Sequence, residues 1–265
     1  MNNLKVTTVQ TILHWENAEA NRAMLEEKIS AMGTSTDVII LPEMFTTGFS
    51  MNAEKQAEPM NFHTTRWMKN IALKTSALIL GSVIIKDGEN FFNRLLWVEP
   101  NGEIKTYEKR HLFRMAEEEK IYSPGNKILV AEWKGWKICP LVCYDLRFPV
   151  WSRNHFDKKS KSLTYDLLIY VANWPAPRSG QWQTLLQARA VENLSFVVGV
   201  NRVGEDAKKV KYEGRSLVID PKGEIIGDGG NDESIVTTEL IADDLKSWRT
   251  KFPAYLDADG FEYVL

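Results

Sequence analysis

Short apolar runs that stop at a polar residue recur along the chain. The stretches "DVIILPE" (residues 37–43), "ALILGSVII" (77–85), "WKICPLVCYD" (136–145), "DLLIYVANWP" (166–175) and "FVVGVNRVG" (196–204) all have this form. Continuous β-branched runs of this length predict strands covered on both faces, or nearly so. Between them the period changes. In "NRAMLEEKISAM" Leu25, Ile29 and Met32 recur at helical spacing, and in "QTLLQARAVENL" Leu186, Ala190 and Leu194 share one face. "FHTTRWMKNIALKT" predicts a third helix ahead of the run at 77–85. "FFNRLLWVEPNGEIKTYEK" predicts a hairpin turning at Pro100, Asn101 and Gly102, and "GRSLVIDPKGEII" a second one turning over residues 220–223. The charged stretch "GEDAKKVKYEG" (204–214) predicts a solvated loop. Strands alternating with helices predict an α/β layered fold with helices covering sheet faces, and one domain spanning 1–265 is the simplest organisation.

The polar residues that close the runs carry the chemistry, because function in α/β folds gathers at the C-terminal ends of strands. Those ends hold Glu43, Cys143 with Asp145, and Asn173 with Trp174. Composition narrows the classes. Hydrophobic residues make up 44% and charged residues 26%, enough to bury a sizeable core. A net charge of −2 gives no reason to expect nucleic acid or an acidic membrane as partner. The start "MNNLKVTTVQ" lacks the pattern of a signal peptide, and no stretch reaches the apolar length of a membrane span. With two cysteines, Cys139 and Cys143, a reducing compartment and hence the cytoplasm is expected.

Both cysteines fall in one run. A zinc site needs more ligands at suitable spacing, and His14, His63, His111 and His155 are scattered. Residues i and i+4 of an extended strand are too far apart for a disulfide. Most free thiols are small core hydrophobes, which is the expectation for Cys139. Cys143 differs by position. It ends its run and is followed by Tyr144, Asp145 and Arg147, a pattern that suits a strand-to-helix turn, where a nucleophile is exposed and the N–H of Tyr144 is free to donate to an oxyanion. A thiol nucleophile needs a base, and Glu43 is the available one, since no histidine closes a strand. Taken singly, Glu43, Lys109 and the run Glu117, Glu118, Glu119 have ordinary structural explanations.

Taken together, "LPEMFTTGF", "YEKRHLFR" and "PLVCYDLRFP" present Glu, Lys and Cys in order, and "ANWP", "ARAVEN", "GVNRVG" and "GRSLVIDPKGE" follow. Over nearly its whole length the chain resembles the nitrilase superfamily of carbon–nitrogen hydrolases. Its "KRHLFRM" and "CYDLRFPVW" are similar to the omega-amidase branch, which acts on 2-oxoglutaramate and related dicarboxylic monoamides. The resemblance implies a four-layer α-β-β-α sandwich, a homodimer, a small-molecule amide substrate and no cofactor. It implies Glu43 as general base, Lys109 as oxyanion stabiliser and Cys143 as nucleophile. Glu118 is the implied second glutamate, with Glu117 and Glu119 adjacent, and Arg147 the ligand of the substrate carboxylate. Tyr144 and Trp174 complete the expected substrate contacts. Many relatives carry an acid after "RFP" where this chain has Val150. A broader aliphatic amidase or nitrile hydrolase is the alternative within this chemistry, and a non-catalytic interaction protein the alternative outside it. The C-terminal stretch "KFPAYLDADGFEYVL" is expected to pack partly across a subunit interface, with packing back on its own domain as the alternative.

Overall fold

The computed structural model describes residues 1–260. The first part of the chain supplies strands β1 (Leu4–Gln10), β2 (Val38–Ile40), β3 (Leu78–Asp87), β4 (Asn90–Val98) and β5 (Ile104–Glu108), with helices α1 (Ala18–Ser30), α2 (Ala53–Gln56) and α3 (His63–Thr75). The second part supplies β6 (Ala131–Trp133), β7 (Trp136–Val142), β8 (Phe156–Asp157), β9 (Ser162–Leu163) and β10 (Leu167–Val171), then α4 (Ser179–Asn193). It continues with β11 (Phe196–Val200), β12 (Val203–Glu205), β13 (Lys211–Glu213), β14 (Leu217–Ile219), β15 (Ile225–Asp228), β16 (Ser234–Leu240) and α5 (Ala242–Lys251).

Two six-stranded sheets result, ordered β16-β1-β2-β3-β4-β5 and β15-β14-β11-β10-β7-β6. Each has a parallel centre, β1-β2-β3 in one and β7-β10-β11 in the other, flanked by antiparallel strands. Side-chain alternation assigns the layers. Val38, Ile40, Leu78, Leu80, Leu95 and Trp97 of the first sheet cluster with Ile138, Leu167 and Ile169 of the second. The residues one step along, Ile39, Ile79 and Leu96, instead meet Leu25 and Ile29 of α1 and Met68 and Ile71 of α3. On the far side of the second sheet α4 buries Trp182, Leu186 and Ala190. The fold is therefore the four-layer α-β-β-α sandwich. Each fully buried aliphatic side chain contributes about 1.5–3 kcal/mol, so the two clusters dominate its stability. Gly199 sets the closeness of α4 to β11, since a Cβ there would stand 2.5 Å from a Leu186 methyl and 2.7 Å from the Trp182 ring.

Both expected hairpins form, as β4–β5 turning through Gly102 at φ +85° and β14–β15 turning through Gly223 at φ +91°. The stretch 204–214 departs from the loop expectation. It pairs as the hairpin β12–β13, anchored by Tyr212, which is buried and donates its hydroxyl to Asp206 at 3.0 Å. The edge pair β1–β16 has no counterpart among the expected runs, because its buried faces include Thr7 and Thr8. Thr7 satisfies its hydroxyl against Thr237 at 2.8 Å, so a polar-looking stretch is core. Beyond α5, Tyr255 packs on Phe156 of its own chain at 4.8 Å, while Phe252 and Leu256 remain exposed. The final part of the expected interface segment, residues 261–265, lies outside the described residues. No helix among the described residues is long and apolar enough to cross a membrane.

Candidate active site

The loops after β2, β5, β7 and β10 converge, and with them come the residues singled out in the sequence. Glu43 follows β2 and Lys109 follows β5; both are almost wholly inaccessible to solvent. The Lys109 ammonium donates to Glu43 Oε1 at 2.8 Å and to both oxygens of Glu118, at 3.0 and 2.9 Å. Asn93, from the middle of β4, donates through Nδ2 to Glu43 Oε1 at 2.8 Å and to Glu118 Oε1 at 3.3 Å. The backbone N–H of Asn173 caps Glu43 Oε2 at 2.9 Å, and that of Phe113 caps Glu118 Oε2 at 2.6 Å. Among the three adjacent glutamates only Glu118 enters this cluster. Glu117 pairs with Lys120 at the surface, and Glu119 lies 3.7 Å from Arg114.

The electrostatics follow from burial and charge count. Burial alone would push the Lys109 ammonium down, but Glu118 and Glu43 outweigh it and hold its pKa above the usual lysine value. Burial raises Glu118, Lys109 pulls against that, and Glu43 pushes it further up. Cys143 is raised well above an ordinary thiol, first by burial and then by the Glu43 carboxylate, which accepts a hydrogen bond from it; Lys109 opposes the shift. Burial and the Glu43 charge both favour the thiol over the thiolate.

Cys143 is the first residue of a single 3-10 turn, Cys143–Arg147, rather than of a regular helix, and its φ of +46° is left-handed. A non-glycine residue there costs on the order of 1–3 kcal/mol unless its surroundings enforce it. Asp145 supplies that enforcement. Its wholly buried carboxylate accepts from the Val142 N–H at 3.0 Å and the Tyr107 hydroxyl at 2.7 Å, and from the His111 N–H and ring Nδ1 at 2.9 and 2.8 Å. His111 in turn stacks on Phe148 at 3.8 Å. The histidine is a support for the turn and does not pair with Cys143. Cys139 lies buried in β7, four residues before the turn.

A pocket of about 30 Å³ lies against the thiol, lined by Phe49, Lys109, Phe113, Cys143, Tyr144, Arg147, Asn173, Trp174, Pro175 and Arg178. Tyr144, Arg147 and Trp174 thus stand with Cys143 as expected. Arg147 does not pair with Asp145, whose oxygens are occupied; its guanidinium lies over Trp174 at 5.0 Å and donates to Gln181. Val150 is 56% exposed and lies off the pocket wall. Sequence reasoning passed over Asn93, Phe113 and Arg178. Asn93 had a signal, an amide beside Arg94 in the strand run "FFNRLLWV" whose other residues are apolar; Arg178, after two prolines, had none.

Residues 5–250 match the family model described as carbon-nitrogen hydrolase. The chain is 47% identical over 262 residues to the omega-amidase YafV of Escherichia coli (strain K12), with 98% of this chain and 99% of that protein covered. It is 32% identical over 255 residues to the 2-oxoglutaramate amidase of Bacillus subtilis (strain 168), covering 95% and 96%. Among solved structures it superposes with a TM-score of 0.97 and 44% identity, over 100% of both chains, on XC1258 of Xanthomonas campestris, a CN-hydrolase superfamily protein with an arsenic adduct in its active site. A Saccharomyces cerevisiae member of branch 10 of the nitrilase superfamily shares the fold with a TM-score of 0.82 at 24% identity, each chain 95% covered.

The buried cluster generates a prediction about stability. Lys109→Met leaves two carboxylates facing each other without a cation, a loss of about 3–5 kcal/mol for breaking a buried pair. Urea unfolding should register that loss, and adding Glu118→Gln to the same protein should recover part of it by removing one charge. Recovery of nothing would mean that the two carboxylates do not repel in the variant.

Proposed function

The chain belongs to the carbon–nitrogen hydrolase family, and from that premise we propose that it is an omega-amidase, releasing ammonia from the terminal amide of 2-oxoglutaramate, succinamate and similar dicarboxylic monoamides. One observation carries the reading beyond the family. On the pocket wall beside Cys143 stands Arg147, half-buried and without an acid partner among the described residues. A substrate bearing a carboxylate opposite its amide would supply that partner, and guanidinium offers paired N–H bonds to receive it. The likeness to proteins named omega-amidase and 2-oxoglutaramate amidase points the same way.

The reaction runs through a thioester on a Glu43–Lys109–Cys143 triad. Glu43 takes the thiol proton as Cys143 Sγ attacks the amide carbon. The tetrahedral oxyanion is held by the Lys109 ammonium and the Tyr144 N–H, which opens the turn and so lacks an intrahelical acceptor, each such donor being worth about 3–4 kcal/mol. Glu43 returns its proton to the nitrogen as the C–N bond breaks, and ammonia leaves. Water, deprotonated by Glu43, then attacks the thioester carbonyl and releases the dicarboxylate and the thiol. The raised thiol pKa fits this order, since deprotonation awaits an electrophile. Glu118 does not touch the sulfur in this scheme; it fixes the ammonium that does the electrostatic work. We take the enzyme to be a cytoplasmic homodimer. Its two buried free thiols suit a reducing compartment, and the exposed Phe252 and Leu256 after α5 offer apolar surface to a second copy.

The direct test is ammonia release from 2-oxoglutaramate and succinamate set against glutamine, asparagine and simple nitriles; preference for any of the latter group overturns the assignment. Cys143→Ala should abolish turnover in a folded protein, whereas Cys139→Ala, changing only core packing, should retain most of it. An active Cys143 variant would end the thioester mechanism. Arg147→Lys should lower the ratio of kcat/KM for succinamate over butyramide roughly tenfold to a hundredfold, the worth of a charged hydrogen bond that only the acid makes. Equal losses on both amides would assign Arg147 to support of Trp174. Light scattering at micromolar concentration should give twice the chain mass, and a stable monomer would remove the dimer.

A further inference from the structure

The wall of the pocket beside Cys143 contains three cations and no carboxylate. Lys109 is compensated from behind by Glu43 and Glu118. Arg147 and Arg178 are not, for neither has an acid within ion-pair distance among the described residues. Arg147 is held by Gln181 and the Trp174 ring, while the Arg178 guanidinium sits 5.3 Å from the centroid of Phe113 and donates no hydrogen bond there. Two guanidiniums lining a space of about 30 Å³ repel each other and are short of acceptors. Such an arrangement favours an anion at that wall. A substrate carboxylate on Arg147 relieves one of them, and Arg178 is left over.

The backbone prepares Arg178 for a ligand. It ends the 3-10 turn Ala176–Arg178, which follows Pro175 and contains Pro177, and its carbonyl accepts the Trp174 indole N–H at 2.8 Å. Trp174 therefore holds both arginines, one over its ring and one through its N–H. Arg178 also stands where the pocket meets a wider cavity of about 800 Å³, whose charged lining on the β12–β13 hairpin is mixed: Lys208, Lys209 and Lys211 with Asp206 and Glu213. An anion arriving through that mouth meets Arg178, the cation without an acid partner, at the threshold of the pocket.

We propose that Arg178 is a second anion ligand of the substrate, closing with Arg147 on its carboxylate end and accepting as partner a 2-oxo oxygen beside that carboxylate. A 2-oxo acid presents three oxygens at one end, more than a single guanidinium edge engages, and a plain carboxylate presents two. Arg178 is thereby the residue that favours 2-oxoglutaramate over glutaramate, the same chain without the oxo group. This rests on the omega-amidase reading and adds to it the origin of oxo-acid selectivity.

The experiment compares Arg178→Gln and Arg178→Lys with the unaltered protein on 2-oxoglutaramate, glutaramate and the neutral pentanamide. The Trp174 contact uses the Arg178 backbone and survives either change. For Arg178→Gln the ratio of kcat/KM for 2-oxoglutaramate over pentanamide should fall about thirtyfold, mostly through KM, and that for glutaramate over pentanamide by less, as expected for loss of charged hydrogen bonds. Arg178→Lys should restore part of the carboxylate dependence but not the preference for the oxo acid, because an ammonium is a point charge. Equal losses on all three amides, or none, overturn the proposal while leaving the omega-amidase reading intact. A second readout separates the two failures. Millimolar 2-oxoglutarate should raise the Tm of the unaltered protein and not that of Arg178→Gln. Should that hold in a protein that turns over neither monoamide, the clamp stands and the omega-amidase reading falls.

Discussion

The site is built around one ammonium. Lys109 lies between two carboxylates in a place with almost no access to water, and each partner there is tolerable only because of the others. Two buried carboxylates alone would repel and take up protons; a buried lysine alone would lose one. With Asn93 donating to both acids, and backbone N–H groups from Asn173 and Phe113 capping them, the three side chains form a closed network whose members cannot turn independently. The network also ties layers together. Glu43, Asn93 and Lys109 come from the first sheet, Asn173 from the end of β10 in the second, and Glu118 from a 3-10 turn outside both. The register between the sheets, set by the apolar cluster between them, fixes the position of the ammonium relative to Cys143.

A second constraint acts on the sulfur. The left-handed φ of Cys143 turns the chain sharply out of β7, and the wholly buried Asp145 holds that turn with four donors drawn from three segments. The arrangement divides labour between two carboxylates close to the same thiol. Glu43 contacts the sulfur and has the chemistry of a base. Asp145 contacts the chain that carries it and has the geometry of a brace. The sequence points to Glu43 as the base but leaves Asp145 without a role, which only the donors around its carboxylate supply.

That distinction marks the limit of what was legible. The buried parallel strands could be read because they are apolar on both faces, and the strand ends named Glu43, Cys143 and Asn173 because polar residues stop those runs. The β1–β16 edge was illegible since its core threonines look like surface until Thr237 is seen opposite Thr7. The β12–β13 hairpin reads as a charged loop because three lysines hide the single buried tyrosine that anchors it. The resemblance favours Glu118 with Glu117 and Glu119 left open beside it, and only the fold shows that, of the three, it alone joins Lys109. Arg178 carried no periodic or motif signal at all; its meaning lies in what it lacks, an acid partner, and absence of a partner is a three-dimensional property.

The resulting charge layout separates the two ends of an amide that carries a carboxylate. The acids lie behind Lys109, away from the pocket, so the wall that a substrate meets is cationic although the protein as a whole carries net charge −2. Within that wall the proposed oxyanion donor Lys109 is already neutralised, and the two arginines are not. A carboxylate is therefore drawn to the arginine end rather than to the compensated ammonium. Were the acids placed on the arginines instead, Lys109 would be the uncompensated cation, and the carboxylate would bind there, reversed, with its amide out of reach of Cys143. The pairing of Lys109 with two carboxylates is thus a condition for orientation as much as for stability: with its charge compensated from behind, the ammonium attracts a ground-state anion less than the two arginines do.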